Sequence, residues 1–569
     1  MRLGTIIGLA CLGAVAIRCT SAEDLARKDA GAPGGSTGPG ATGSSTTGGG
    51  DPVPPEQELE DSFRVPVATG RFVWTANPES NRVALIDATT FSVAALDAGF
   101  APTTLAALPN QLAERSGAIV INAASADAMV FLAKDTSDVV VSSPIPIHAS
   151  ANAWAVSKSG RWAIAWTNAL GVATLDPTDG FQDISVIDLG DYPDRDPSVV
   201  RLSVGYRPTR LVFADDERRA LAVTEPGVSV IELTGDGGPR VERDVVVSDA
   251  PAAEVEIAPS GSLAWVRQTD SATLTLVDLE TGERLPLLLP GVVTDLDLSL
   301  DASFAVAVCR GAVEPGASGA GGSGVAGGAG AIGLAGAAGD AAGGEAGAGG
   351  QGPGPGPGLS TVVVLPIPET LAAPAPRLSV SVPEVVGSVV VPPVGFEVLL
   401  YTNAIDSDRV TVLDVADASW RTIELKAPVR ALFATPDAEH AVALLAPPPG
   451  STKAGAFSLI SVREALPPKL QGTVAATFGV ALSSGNAIVT TLAERDGDSE
   501  AYLASFPSLR LEKLELPSAP LASGILEDAR VGYVAQAHPE GRITFMHLSD
   551  ASARTLTGFE LGVKVVDGE

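Results

Sequence analysis

The chain is poor in the residues that carry most enzyme chemistry. It has 4 His and 3 Cys among 569 residues. His148, His440, His538 and His547 stand far apart, with no HExxH or HxH spacing. A lone His in each of several segments reads as a structural or surface residue, and His547 as a turn residue. No CxxC or CxxCH segment occurs, so zinc-ribbon, dithiol and c-type haem motifs are excluded. Cys11 and Cys19 lie in an N-terminal apolar segment. Cys309 lies in the run Phe304-Ala305-Val306-Ala307-Val308, where a thiol reads as a small buried core residue. No disulfide framework follows from three such positions.

Positive charge is scarce too. Lys and Arg total 37 against 67 Asp and Glu, a formal net charge of -30. Nucleic-acid backbones and anionic membrane surfaces are bound by clustered Lys and Arg, so neither is an expected partner. The acidity fits a soluble, self-repelling surface. Charged residues are only 18 % and hydrophobic ones 45 %, which excludes a wholly disordered chain.

Long apolar runs are absent after the first residues. Met1-Arg2 precedes an uncharged run from Leu3 to Ile17, the pattern of a secretory signal, and too short to span a bilayer comfortably. Residues 1–22 therefore read as a signal peptide with two processing alternatives. One is lipidation at Cys19. The segment before it resembles a bacterial lipoprotein signal, although Arg18 stands where Gly, Ala or Ser is usual. The other is cleavage after Ala22, with small residues at Thr20 and Ala22. Residues 23–62 are rich in Gly, Ser, Thr and Pro, cannot bury enough apolar surface to order, and read as a tether. The expected location is exported, in the cell envelope: membrane-anchored, periplasmic or extracellular.

What is present is a repeat. Gly99–Ile121, Gly205–Thr224, Asp249–Gln268 and Ala427–Leu445 each carry a Pro or small-residue lead, an alternating apolar strand, a turn and a second strand. Period-2 alternation bounded by turn residues predicts half-buried antiparallel strands. A second landmark is an apolar strand closing on an acid: Asp87, Asp188, Glu232, Asp278 and Asp414, separated by 101, 44, 46 and 136 residues. Residues 311–358 are a Gly/Ala-rich insert, expected to be disordered. Removing its 48 residues shortens the last step to 88. The ruler is then about 46 residues, the length of one four-stranded propeller blade. Weaker landmarks fall near Asp135, Pro366, Ser461, Pro507 and Ser549. The acid after the third strand reads as a turn former that bonds its own backbone two residues on.

The expected fold is all-β: a β-propeller of four-stranded antiparallel blades over residues 63–561, with roughly 7 to 10 units. One large ring is favoured over two, because no linker divides the repeats. Residues 562–569 read as a C-terminal tail.

Phe72-Val73-Trp74-Thr75-Ala76-Asn77-Pro78-Glu79-Ser80-Asn81-Arg82-Val83-Ala84-Leu85-Ile86-Asp87 resembles the YVTN-type β-propeller repeat, and Asn403 to Asp414 repeats the pattern. The resemblance extends from Phe63 to Leu561. It implies a structural or binding protein with no fixed catalytic residues to carry over.

No catalytic, cofactor-binding or metal residue is singled out, and no cofactor is expected. Gly319 to Gly324 matches GxGxxG inside low complexity, without the strand–turn–helix context that a nucleotide site needs. The acidic segments Asp188–Asp196 and Glu494–Glu500 lack EF-hand spacing and read as solvated turns. The functional expectation is a noncatalytic binding or scaffolding propeller whose partner is an unidentified envelope or extracellular protein or ligand. The alternative is a propeller hydrolase or lactonase with an axial carboxylate site. Titratable groups from several blades converging in the channel would favour the alternative. A redox propeller would need haem or quinone ligands, and none is found.

Overall fold

The computed structural model describes residues 66–559 and 566–567, except 110–113, 170–179, 250–251, 311–359, 494 and 496. The proposed signal, Cys19, the tether, the insert and its GxGxxG match lie outside the described residues.

The described chain forms ten antiparallel sheets, each built from four consecutive strands. The first covers Val67–Thr69, Phe72–Asn77, Arg82–Asp87 and Val93–Asp97. The last covers Pro520–Leu526, Val531–Gln536, Arg542–His547 and Ala553–Thr557. We number these blades 1 to 10 in chain order. Blades 2 and 10 add a short fifth strand, Ile145–Pro146 and Val566–Asp567. In the latter, Val566 pairs with Thr557.

The ten blades form one closed ring. A cluster of buried apolar side chains fills every interface between consecutive blades. The tenth cluster joins blade 10 to blade 1 through Val73, Ile86, Tyr533 and Phe545. Tyr533 also donates its hydroxyl to the Pro66 carbonyl at 3.5 Å.

Burial changes from the axis to the rim. The first strand of each blade lines the channel, and many of its side chains are half-buried. The second and third strands are buried on both faces, as in Phe72–Asn77 and Gly455–Ser461. Fourth strands alternate, as in Arg510–Glu515. The expected half-burial therefore holds only in part. A blade in a ring is sandwiched between two others, so its middle strands carry near-continuous apolar runs.

The turn between first and second strands follows one pattern. In blades 3, 4, 5, 6, 8 and 10 the backbone turns left-handed at Gly160, Glu217, Gly261, Ala302, Ala438 and Arg530. Each of these residues bonds the carbonyl three positions earlier. Glycine takes this conformation without steric cost at Gly160 and Gly261, whereas the other four incur some strain.

The acid landmarks all close third strands. Asp87 accepts bonds from the Thr89 and Thr90 amides, the Thr89 hydroxyl and the Arg71 guanidinium. Asp278, Asp414, Asp188 and Asp135 cap their turns in the same way. Glu232 differs. Its longer side chain pairs with Arg240 instead. Asp87 is 2 % exposed. Asp87→Ala should lose about 2–3 kcal/mol in urea unfolding, because it leaves buried donors unpaired. Asp135→Ala, in an exposed copy of the turn, should lose less. An equal loss from both would sink this account.

Candidate functional site

Across the ten inner strands, charge is confined to six side chains. They are Arg210, Glu254, Glu256, Asp295, Asp297 and Arg430. All four acids sit on adjacent blades. Glu254 and Glu256 belong to Glu254–Ile257 of blade 5, Asp295 and Asp297 to Val292–Leu298 of blade 6.

Alternation places them there. In blade 5, Val255 packs into the cluster shared with blade 4. Glu254 and Glu256 therefore point to the other side, where they lie opposite Arg267 and Trp265. In blade 6, a bulge between Val293 and Asp295 resets the alternation. Leu296 and Leu298 then pack toward blade 5, and the two aspartates turn toward blade 7. The Val389 amide of blade 7 donates to Asp295 Oδ2 at 2.7 Å. A backbone bond from Val391 reaches Asp297.

Two guanidiniums complete the arc. Arg267 Nε lies 2.7 Å from Glu254 Oε2, and Arg210 of blade 4 pairs with Glu256. Burial pushes the Glu254 carboxyl up to about 8, Asp295 adds to the rise, and Arg267 opposes it. The Asp297 carboxyl lies well above the ordinary range, first from desolvation and then from Asp295, Glu256 and Glu254. Asp297 is half-buried as a residue, but its carboxyl group is closely surrounded by protein. Near neutrality the arc thus favours a protonated Glu254 carboxyl beside guanidiniums. It can donate and accept hydrogen bonds at once. Among the described residues, no three His, Cys, Asp or Glu side chains are arranged to hold a metal ion.

The histidines are not brought together. His148 is buried between the Ser185 and Thr167 hydroxyls, at 3.0 and 3.2 Å, and desolvation pulls it down to about 4. His440 stacks on Phe506 at 4.5 Å. His538 Nδ1 accepts the Glu540 amide, and His547 closes a third strand. Cys309 is 1 % exposed, and burial pushes its thiol up to about 12. In the first acidic segment Asp191 pairs with Arg195 in an exposed turn. In the second, Glu494 and Asp496 lie outside the described residues. Glu500 corrects the solvated-turn reading: its buried carboxylate accepts Tyr502 and Lys513. It opens a third strand instead of sitting in a loop.

The arc itself escaped the sequence reading. Its signal was present: acids at alternate positions in Glu254-Val255-Glu256-Ile257 and Asp295-Leu296-Asp297-Leu298, where other repeats carry Ala, Thr or Val.

No family model matches the chain, and no curated protein sequence matches it. Solved structures are similar. Apo AztD from Citrobacter koseri is 15 % identical, over 70 % of this chain and 93 % of that one, with a TM-score of 0.38. A eukaryotic initiation factor structure is 9 % identical over 90 % and 96 %, with a TM-score of 0.46. The dihydro-heme d1 dehydrogenase NirN is 12 % identical over 81 % and 76 %, with a TM-score of 0.40. Identities this low speak to fold alone.

Proposed function

We propose that this chain is an exported, noncatalytic propeller of the YVTN repeat type, which binds or scaffolds a partner in the cell envelope. The carrying observation is the arc of Arg210, Glu254, Glu256, Asp295, Asp297 and Arg267, which holds all the carboxylates of the described inner strands. Paired donors and acceptors on a rigid wall suit a polar ligand held by hydrogen bonds. In this reading the export signal ends at Cys19, which carries the lipid. Terminal-peptide mass spectrometry of the mature protein should find acylated Cys19. A chain starting near Glu23 would replace the anchor with a soluble exported form.

The hydrolase alternative gains one specific observation. Glu254 is raised to about 8 beside Asp295, and a carboxyl that stays protonated near neutrality is suited to general-acid work. A panel of lactones and esters decides between the readings. The expected result is no turnover by the purified protein. Turnover that Glu254→Gln or Asp297→Asn abolishes would replace the binding reading with the enzymatic one.

A further inference from the structure

Register sets four side chains of blade 5 in a square. Glu254 stands opposite Arg267, and Glu256 opposite Trp265, across the first and second strands. Residues two apart on a strand share a face, so all four side chains point toward blade 6. Val255, between the two acids, faces blade 4 instead. Trp265 packs in the cluster that Leu296 and Leu298 of blade 6 complete. Glu254 Oε2 lies 2.7 Å from Arg267 Nε, and Glu256 reaches Arg210 of blade 4. That second pair opens the square to the channel, since the Arg210 side chain is 42 % exposed and that of Glu256 16 %.

One donor in the square is unused. The Trp265 side chain is fully buried, yet its indole N–H has no hydrogen-bond partner among the described residues. Directly opposed residues hold their Cβ atoms roughly 5 Å apart, so this donor belongs to the layer that carries Glu256 and Glu254. A buried N–H is costly to leave unpaired. A group that satisfies it beside two carboxyls must bring an acceptor oxygen and a donor of its own. The local field adds a sign. Asp295 of blade 6 raises the Glu254 carboxyl, and Arg267 opposes the rise without cancelling it. Glu256 and Glu254 act in the same sense on Asp297. A field that holds protons on carboxyls favours a cation and disfavours an anion. Among the described residues the acids are not grouped to hold a metal ion. An ammonium, with three donors and no acceptor, is a cation that two neighbouring carboxyls can take.

We propose that this square binds a hydroxyl-bearing amine from the channel, its hydroxyl oxygen accepting the Trp265 N–H and its ammonium donating to Glu254 and Glu256. The inference rests on the reading of the arc as a ligand site and names the chemical class of the ligand.

The test titrates the full chain calorimetrically with probes of one size. They are ethanolammonium, its neutral counterpart ethylene glycol, its anionic counterpart glycolate, and propylammonium, which has a methyl in place of the hydroxyl. Ethanolammonium should bind tightest, and the glycol and glycolate should not bind. An ammonium beside Glu254 displaces the carboxyl proton. Ethanolammonium should therefore bind more tightly as pH rises from about 6 to 8, by up to about tenfold per unit. Glu254→Gln keeps the shape, and should weaken both amines at least about tenfold and remove that pH dependence. Trp265→Phe removes the N–H, and should bring ethanolammonium down to the affinity of propylammonium. General loosening of the blade would weaken both amines alike. Glu515→Gln, at a side chain 79 % exposed on an outer strand, should change nothing. Glycol or glycolate binding as tightly as ethanolammonium, and lost in Glu254→Gln, overturns the amine and keeps the arc as a ligand site. Amine binding that survives both Glu254→Gln and Trp265→Phe overturns the square. Failure of every probe to bind overturns the amine and the arc together.

Discussion

Phe545→Ala should cost about 3–5 kcal/mol of stability, the loss typical of a fully buried aromatic. It should also loosen one place in the ring more than any other. Phe545 is 1 % exposed and sits in the cluster that joins blade 10 to blade 1. Its ring meets Phe91 at 5.5 Å, and Arg554 covers Phe91 at 4.6 Å. Every other interface is also tied by chain passing from one blade to the next, through links as short as Thr473 to Ala476. Blades 1 and 10 are each made of their own consecutive strands, so no exchanged strand closes this seam. Side-chain packing and the Tyr533–Pro66 bond carry it. Phe457→Ala makes the comparison, since Phe457 is equally buried between blades 8 and 9 and meets Tyr502 at 5.3 Å. Urea unfolding should show similar losses for both. Hydrogen exchange should separate them, with faster exchange in blades 1 and 10 for Phe545→Ala only. Equal protection of those two blades in both variants would show that the seam is no weaker than the rest.

Stability should fall as pH rises from about 5 to 9. Glu254 is raised to about 8 and Asp297 is raised well above its ordinary value. A raised carboxyl holds its proton in the folded state after the unfolded chain has released it. Between the two pKa values the folded state therefore binds more protons, and unfolding becomes easier as pH increases. Each unit of difference is worth about 1.4 kcal/mol, so the raised Glu254 carboxyl alone makes the decline measurable. Glu254→Gln keeps the shape and removes the titration. It should flatten the decline, and Asp297→Asn should flatten it further. Because Asp295, Glu256, Arg267 and Arg210 share the site, the two changes should not add. Unfolding midpoints at several pH values check this. An unchanged slope in both variants would mean that the carboxyls are not the proton holders.

The blade ruler was legible because it rests on local chemistry. An acid that bonds the amide two residues on needs only its own turn, and Asp87, Asp188, Asp278 and Asp414 show it in sequence as in structure. The weaker landmarks Asp135, Pro366 and Ser461 also end third strands. Pro507 and Ser549 fall two residues past theirs. Depth of burial was less legible. Trp162–Trp166 alternates in no way that separates a strand covered on one face from one covered on both. That difference arises only when a second blade packs on the far side.

The amino-acid sequence by itself determined the all-β class, the four-stranded unit, its length and the points where third strands end. Those properties depend on alternation and on turns spanning a few residues. The tertiary structure alone decided that ten blades close into one ring, because closure depends on the fit between Tyr533 and Phe545 at one end of the chain and Val73 and Ile86 at the other. It alone also brought Arg210, Glu254 and Asp297 into one arc. Each belongs to a different repeat, and only the ring geometry sets neighbouring inner strands side by side, where shared burial keeps protons on carboxyls that water would strip.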